Sequence, residues 1–164
     1  MLKMLSNSLF QSCEVHEYCL DQSIRLLYEE EHPQLASLIE PFVPFMHQGS
    51  NWTDQGLRNL SHFYHPIDKK GLPGVHHAGE ELHAVLDQME KAWRRRNHPR
   101  YFFCLGIALH LIQDMCVPHH VFGCLLQGHH AYENWVIRHH RRFQASAMGN
   151  SRQENLEDVL KANA

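Results

Sequence analysis

Cysteine pairs at metal-binding spacing, long apolar runs and a strong charge of either sign are all missing from this sequence. The five cysteines form no C-x-x-C pair, and their odd number favours a reducing compartment over a disulfide framework. No apolar run approaches the roughly 18 residues of a membrane helix, and the interrupted start does not resemble a secretory signal. A net charge of −3 gives no general attraction to nucleic acid. We therefore expect a cytoplasmic protein that forms no stable nucleic-acid complex.

Alternating strand patterns are missing as well, and apolar residues recur at helical spacing along most of the chain. The segments with this spacing are 15–31, 33–48, part of 49–63, 79–96, 100–117, 129–143 and, more weakly, 153–160. No internal repeat or domain-sized linker separates them. The sequence therefore predicts a single compact all-α domain over 1–164, weakly structured at about 1–12 and about 145–164.

Prolines and capping residues predict where these helices begin and end. Pro41 and Pro44 should divide the second segment, because proline removes a hydrogen bond from a helix interior. Pro118 should end the helix over 100–117 for the same reason. Thr53 or Asp54 should cap the short helix that follows, since both side chains accept bonds from free backbone N–H groups.

The sequence contains sixteen histidines, several times the average share. His110 is one of those that lie among apolar residues. The helix over 100–117 is apolar nearly all round and therefore reads as the central, buried helix. His110 and Asp114 lie on its stripe with Phe103 and Ile107. An ionised aspartate in a core costs on the order of several kcal/mol unless it is paired or bound to a metal. A histidine and an aspartate four residues apart can chelate one ion.

The next helix repeats this arrangement, with His129 and Glu133 again four residues apart. His120 follows the break at Pro118, between the two pairs. A single buried histidine is more often a hydrogen-bonded core residue than a ligand, but two such pairs on consecutive helices favour a metal site. Nitrogen and oxygen ligands without thiolate suit zinc in a catalytic site, where one position stays open for water.

These residues resemble a known family, the bacterial zinc-dependent phospholipases C, whose distant relatives are the fungal single-strand-specific zinc nucleases. The resemblance lies in H-x-x-x-D-x-x-x-P-x-H (110–120) and in H-x-x-x-E (129–133). Upstream, "SHFYHP" (61–66) is similar to the family's "SHFYDP". His16 matches an early histidine of the family, and the similarity covers about residues 12–137. Glu133 resembles the phospholipase branch, because the nucleases usually carry Asp there.

The resemblance implies the all-helical fold of this superfamily with a zinc cluster between helices. It implies two or three zinc ions per chain, bound by eight residues. Asp54, His62, His110 and Asp114 would bind one ion, His120, His129 and Glu133 a second, and His16 with Asp114 a third. Asp114 would thus bridge two ions, and Asp54 would also act as the catalytic base. Neighbouring histidines remain alternatives at several of these positions, namely His65, His119 and His130.

The sequence departs from the family pattern in three places. The family completes its third zinc with an N-terminal Trp, whereas the fifteen residues before His16 contain none. The N-terminus of Met1 or a processed terminus would have to serve, or the third zinc is weak or absent. The aromatic residues around choline do not map, since Gln55 and Asn59 stand at those positions. Only thirty-one residues follow Glu133, so we expect that part of the substrate wall is missing or comes from another chain.

These features predict a zinc-dependent phosphodiester hydrolase that uses a zinc-activated water on a phospholipid or related phosphoester. The prediction is compatible with peripheral membrane contact and with a homodimer. A non-catalytic zinc-binding protein that kept the ligands, and a nuclease-like phosphodiesterase, remain alternatives. A di-iron protein would need paired Glu-x-x-His motifs, and only Glu80 with His83 falls inside a predicted helix. HD-type phosphohydrolases need a His-Asp dipeptide, which the sequence does not contain.

Overall fold

The computed structural model describes residues 14–124 and 128–146. Its α-helices are α1 (Glu14–Glu29), α2 (Pro33–Ile39), α3 (Val43–Thr53), α4 (Ala78–Arg94), α5 (His98–Asp114), α6 (Pro118–Val121) and α7 (His129–His139). Short 3-10 helices lie at Glu40–Phe42, Arg58–His62 and His140–Arg142. The expected helix over 153–160 and the expected loose start over 1–12 fall outside the described residues.

The predicted all-α class is confirmed. Residues 14–124 and 128–146 contain no strand, only an isolated antiparallel bridge between His65 and Lys70. Pro41 and Pro44 divide the second segment as expected, because each occupies one of the first positions of a new helix. Proline fits there, since its missing N–H would have no partner within the helix. Within the described ranges, no helix is both long enough and apolar enough to cross a membrane.

Two expected helix boundaries are wrong. Thr53 and Asp54 do not start a helix, because α3 runs on to Thr53 and Asp54 is its C-cap. The Thr53 hydroxyl donates to the Gly49 carbonyl, which closes the last turn of that helix. Pro118 does not end the central helix either. That helix stops at Asp114, and Pro118 begins α6 after a short turn.

Helices α3 and α5 cross so closely that two glycines form the contact. A Cβ at Gly106 of α5 would overlap the backbone carbonyl of Met46 in α3. Likewise, a Cβ at Gly49 of α3 would overlap the carbonyl of Phe103 in α5. Neither backbone can yield without separating the helices, so both positions require glycine. This crossing places the end of α3, and therefore Asp54, beside the last turns of α5.

The core lies on both sides of α5. One apolar cluster joins α4 to α5, including Leu82, Ile107 and Leu111. A second, smaller cluster contains Leu20 of α1, Met46 of α3 and Phe102 of α5. The central helix is thus packed on opposite faces, as its nearly continuous apolar sequence predicts. Its C-terminal turn carries His110 and Asp114 at the end of this packed core.

Candidate metal centre

Six separate elements bring the eight predicted ligands together. His16 comes from α1, Asp54 from the end of α3 and His62 from the 3-10 helix before the irregular segment. The remaining ligands come from the C-terminal half of the chain, with His110 and Asp114 on α5, His120 on α6, and His129 and Glu133 on α7. All of these side chains except His110 line one open cleft, together with Asn59, Leu60 and Phe63. His110 lies directly beneath it, in contact with Asp54 and Asp114.

The inner group consists of His16, Asp54, His62, His110 and Asp114. His62 Nδ1 lies 2.7 Å from Asp114 Oδ2, and His110 Nε2 lies 3.2 Å from the same oxygen. Asp54 Oδ1 is 3.4 Å from His110 Nε2 and 3.6 Å from His62 Nδ1. Two sets of three have their ligand atoms close enough to share an ion, namely His16, Asp54 and His110, and His62, His110 and Asp114.

The outer group consists of His120, His129 and Glu133. His129 Nε2 lies 3.0 Å from Glu133 Oε1 and 2.9 Å from His120 Nε2. His120 Nε2 is 3.9 Å from the same glutamate oxygen. The ligand atoms of these three residues are also close enough to one another to share one ion. The outer group is more open, because Glu133 faces solvent at the mouth of the cleft.

Asp114 joins the two groups through its two oxygens. Oδ2 faces His62 and His110 of the inner group. Oδ1 lies 3.4 Å from His16 Nε2 and 3.5 Å from His120 Nδ1, so it reaches both groups. A carboxylate in this position can contact two cations at once.

The spacing of these atoms suits a tetrahedral ion. Two ligand atoms that each lie 2.0–2.1 Å from zinc at the tetrahedral angle are about 3.3 Å apart. Several distances in the inner group are 3.2–3.6 Å. The Nδ1 atom of His120 is buried 3.5 Å from Asp114 Oδ1, too far for a good hydrogen bond. Its Nε2 atom faces His129 and Glu133 of the outer group.

The charges of the cluster favour a cation between the carboxylates. Burial raises the pKa of Asp114, but the nearby His110 and His16 outweigh it and hold that pKa well below the usual range. Burial likewise lowers the pKa of His120, but Asp114 and Glu133 outweigh it and raise that pKa to about 9. Positive charge is thus drawn to the space where the two groups meet.

The sequence profile of the family described as zinc dependent phospholipase C matches residues 15–162. The chain belongs to this family. The match covers nearly the whole sequence and includes every residue of the inner and outer groups. The resemblance seen in the sequence is therefore confirmed. The chain has no match among curated proteins.

Membership in the zinc dependent phospholipase C family agrees with the donor set. Imidazole and carboxylate ligands suit zinc, and the described members of both groups contain no thiolate. The family thus supports a zinc-binding, phospholipase-type hydrolase. The number of ions and the division of the eight residues among them stay predictions. The grouping differs in one respect from the expected one, because His16 converges with Asp54 and His110 as well as with Asp114.

The alternative histidines lie at the edge of the cluster. His130 is almost fully exposed on α7 and only approaches Glu133, at 3.9 Å. His65 pairs with Asp68 and its ring lies beside Phe122. His119 stacks on His129 rather than joining its ligand set. Among the described residues, none of the three belongs to a converging metal group.

Two polar residues that contact the cluster were not predicted from the sequence. Ser50 is buried on α3, and its Oγ lies 3.2 Å from His110 Nδ1. Gln113 lies beside Asp114 on α5, and its Oε1 is 2.7 Å from His16 Nδ1. Ser50 shares a helical stripe with Met46 and Thr53, a spacing that would have revealed it had α3 been extended correctly. Gln113 gives no such signal, because its partner is 97 residues away.

Proposed function

We propose that the chain is a zinc-dependent phosphodiester hydrolase that cleaves the ester between the glycerol and the phosphate of a phospholipid. The observation that carries this proposal is Asp114, whose two oxygens face histidines of both groups. A bridging carboxylate sets the distance between neighbouring cations. Closely spaced cations are suited to phosphate esters, whose several oxygens can each contact a different ion. Membership in a phospholipase C family supports the choice of substrate.

The proposed ligand sets follow the two groups. Asp54, His62, His110 and Asp114 would hold one ion, and His120, His129 and Glu133 a second. His16 with Asp114 would hold a third ion or complete the first set, since His16 Nε2 faces Asp114 Oδ1 while its ring stacks on His110. Zinc bound there would supply Lewis-acid chemistry, polarising phosphoryl oxygens and making water nucleophilic at neutral pH.

Asp54 is the proposed catalytic base. Its carboxylate is partly exposed in the cleft, whereas that of Asp114 is buried. Contacts with His62 and His110 fix the position of its Oδ1 atom. The carboxylate can therefore orient an attacking water and accept its proton, while Asp114 keeps a purely binding role.

A set of exposed residues close in sequence to Asn59, Phe63 and His120 of the cleft supports a phospholipid over a free nucleotide. We call this set the rim, and it consists of Leu57, Ile67, Lys69, Lys70 and Phe122. Ile67 and the lysines lie on a tight turn closed by hydrogen bonds between His65 and Lys70 and between Lys69 and His65. Phe122 reaches the base of this turn through His65. Neither lysine forms an ion pair with the described residues. Apolar and basic side chains together suit a membrane surface, where apolar groups insert and lysines meet lipid phosphates.

The cleft itself is small, about 160 Å³. Pockets for drug-sized ligands are roughly 300–1,000 Å³, so the described walls have room for ions and a phosphate group rather than for a whole phospholipid. The acyl chains of a phospholipid would have to stay in the bilayer. This is consistent with peripheral membrane contact at the rim.

The direct test combines metal analysis with two substrates. Protein purified without an affinity tag should contain two or three zinc ions by elemental mass spectrometry. It should release phosphorylated headgroup from a soluble short-chain phospholipid and, faster, from vesicles. Zinc content without hydrolysis of either lipid would instead support the non-catalytic alternative. Hydrolysis of single-stranded DNA in preference to both lipids would support the nuclease-like alternative.

The rim is tested with a matched pair of variants. Phe122→Ser should reduce binding to phosphatidylserine-containing vesicles severalfold while leaving hydrolysis of the soluble lipid unchanged. Leu38→Ser is the control, because Leu38 is equally exposed but lies on α2. Equal vesicle binding by the two variants would remove the rim from the proposal.

A further inference from the structure

His16 is held at one ring nitrogen by a residue outside the ligand sets. Its Nδ1 lies 2.7 Å from Gln113 Oε1, and its Nε2 faces Asp114 Oδ1 at 3.4 Å. Gln113 and Asp114 are consecutive residues of the same helix end. One short stretch of α5 therefore contacts both nitrogens of a ring that α1 supplies.

The chemistry of the amide determines the state of the ring. A carboxamide oxygen can only accept a hydrogen bond, so Nδ1 must carry the proton. The lone pair of neutral His16 is then on Nε2, the nitrogen that points into the cluster. Metal-bound histidines commonly donate their other N–H to an oxygen in this way, which fixes the tautomer and the ring orientation.

The neighbouring ring also has a polar contact at Nδ1. Ser50 Oγ contacts His110 Nδ1, while His110 Nε2 faces Asp54 and Asp114. The rings of His16 and His110 are stacked, with centroids 3.8 Å apart and planes only 20° apart. Movement of one ring is therefore limited by the other. The two polar partners come from different helices, Ser50 from α3 and Gln113 from α5.

We propose that Gln113 is a positioning residue, which holds His16 with its Nε2 aimed at a cation. The proposal rests on the metal-binding part of the proposed function and not on the reaction. It gives Gln113 a role although its side chain contacts neither a carboxylate nor the cleft. It also gives His16 a fixed orientation without requiring a ligand from the start of the chain.

The test compares two substitutions of similar size. Gln113→Met keeps the length of the side chain but removes the oxygen, whereas Gln113→Glu keeps an oxygen that accepts from Nδ1. Zinc affinity, measured by competition with a chromophoric chelator, should fall about 10- to 100-fold at one ion in Gln113→Met. Gln113→Glu should bind that ion at least as tightly as the wild type. The visible absorption spectrum of the Co²⁺-substituted protein should change in Gln113→Met and be restored in Gln113→Glu.

Controls separate positioning from simple stability. Gln88→Met makes the same change on α4, where Gln88 accepts a bond from Arg100, and should leave zinc affinity unchanged. Thermal unfolding in the presence of chelator should be similar for both Gln113 variants. Wild-type zinc affinity in Gln113→Met would overturn the positioning role while leaving the metal site intact. Absence of zinc from the wild type would overturn the positioning role together with the metal site.

Discussion

The inner and outer groups use similar ligands but are built in different ways. In the inner group three side chains, those of His62, His110 and Asp114, are at most 3% exposed, whereas every outer side chain is at least 9% exposed and Glu133 reaches 44%. Two of the inner ligands, His110 and Asp114, stand on α5, which packs against α3 and α4. Helix α7, which carries two of the outer ligands, has no buried residue.

Helix α7 is held by polar contacts of the segment that follows it. Arg141 pairs with Glu14 at 2.5 Å, and the Tyr18 hydroxyl donates to the Phe143 carbonyl. The His140 ring meets Tyr18 edge to face. We call these contacts to α1 the clamp. The difference implies that core packing preorganises the inner group, while the outer group depends on exposed contacts and on its own ion.

Loss of Asp114 should have the largest effect, because it removes the difference between the groups by damaging both. Asp114→Asn keeps the size of the side chain but removes the negative charge that faces His62, His110, His16 and His120. We expect loss of more than one zinc ion and a fall in hydrolysis of at least about 1,000-fold, given the several kcal/mol that clustered ions contribute. Elemental analysis and activity on the soluble lipid measure this.

The matched control is Glu133→Gln, which removes one charge from the outer group alone. It should lower zinc content by a single ion. Unchanged zinc stoichiometry in Asp114→Asn would contradict the bridging role of Asp114.

The close contact between α3 and α5 supports the inner group, and a larger residue at this contact should destabilise the protein. Gly106→Ala places a Cβ on the Met46 carbonyl, which cannot move without separating α3 from α5. We expect a destabilisation of about 3 kcal/mol or more, the upper end of overpacking, measured by urea unfolding in chelator. In the control Gly79→Ala, the new methyl meets only side-chain atoms of His77 and Tyr64, which can shift. Equal stability of the two variants would show that the crossing is looser than the structure indicates.

Local spacing predicted the ligand pairs, because both lie within single helices. His110 with Asp114 and His129 with Glu133 are separated by one turn, a distance that the sequence displays directly. The end of α3 was mispredicted for a tertiary reason. Gly49 and Ser50 disfavour a helix by propensity, yet their small size allows α3 to pack against α5, and packing prevails.

Contacts between distant segments could not be predicted from spacing. Gln113 with His16, Ser50 with His110, and the clamp join residues that no periodic pattern relates. The resemblance to the family placed His16, Asp54 and His62 in one site, and the structure brings them together, although which ion each residue binds stays a prediction. Polar residues that act on ligands carry no signal of their own in a single sequence.

The smallest expected effect comes from weakening the clamp, because only the outer group depends on these contacts. Tyr18→Phe removes the hydrogen bond to the Phe143 carbonyl, an exposed bond worth about 0.5–1.5 kcal/mol. If that loss is felt only by α7, zinc affinity of the outer ion falls by up to about tenfold, while the inner ion is unaffected. Tyr28→Phe is the control, because Tyr28 lies on the same helix and donates to Glu40 instead. An equal loss of affinity for both ions in Tyr18→Phe would mean that α1 acts mainly through His16. The outer group would then not be held independently of the inner group.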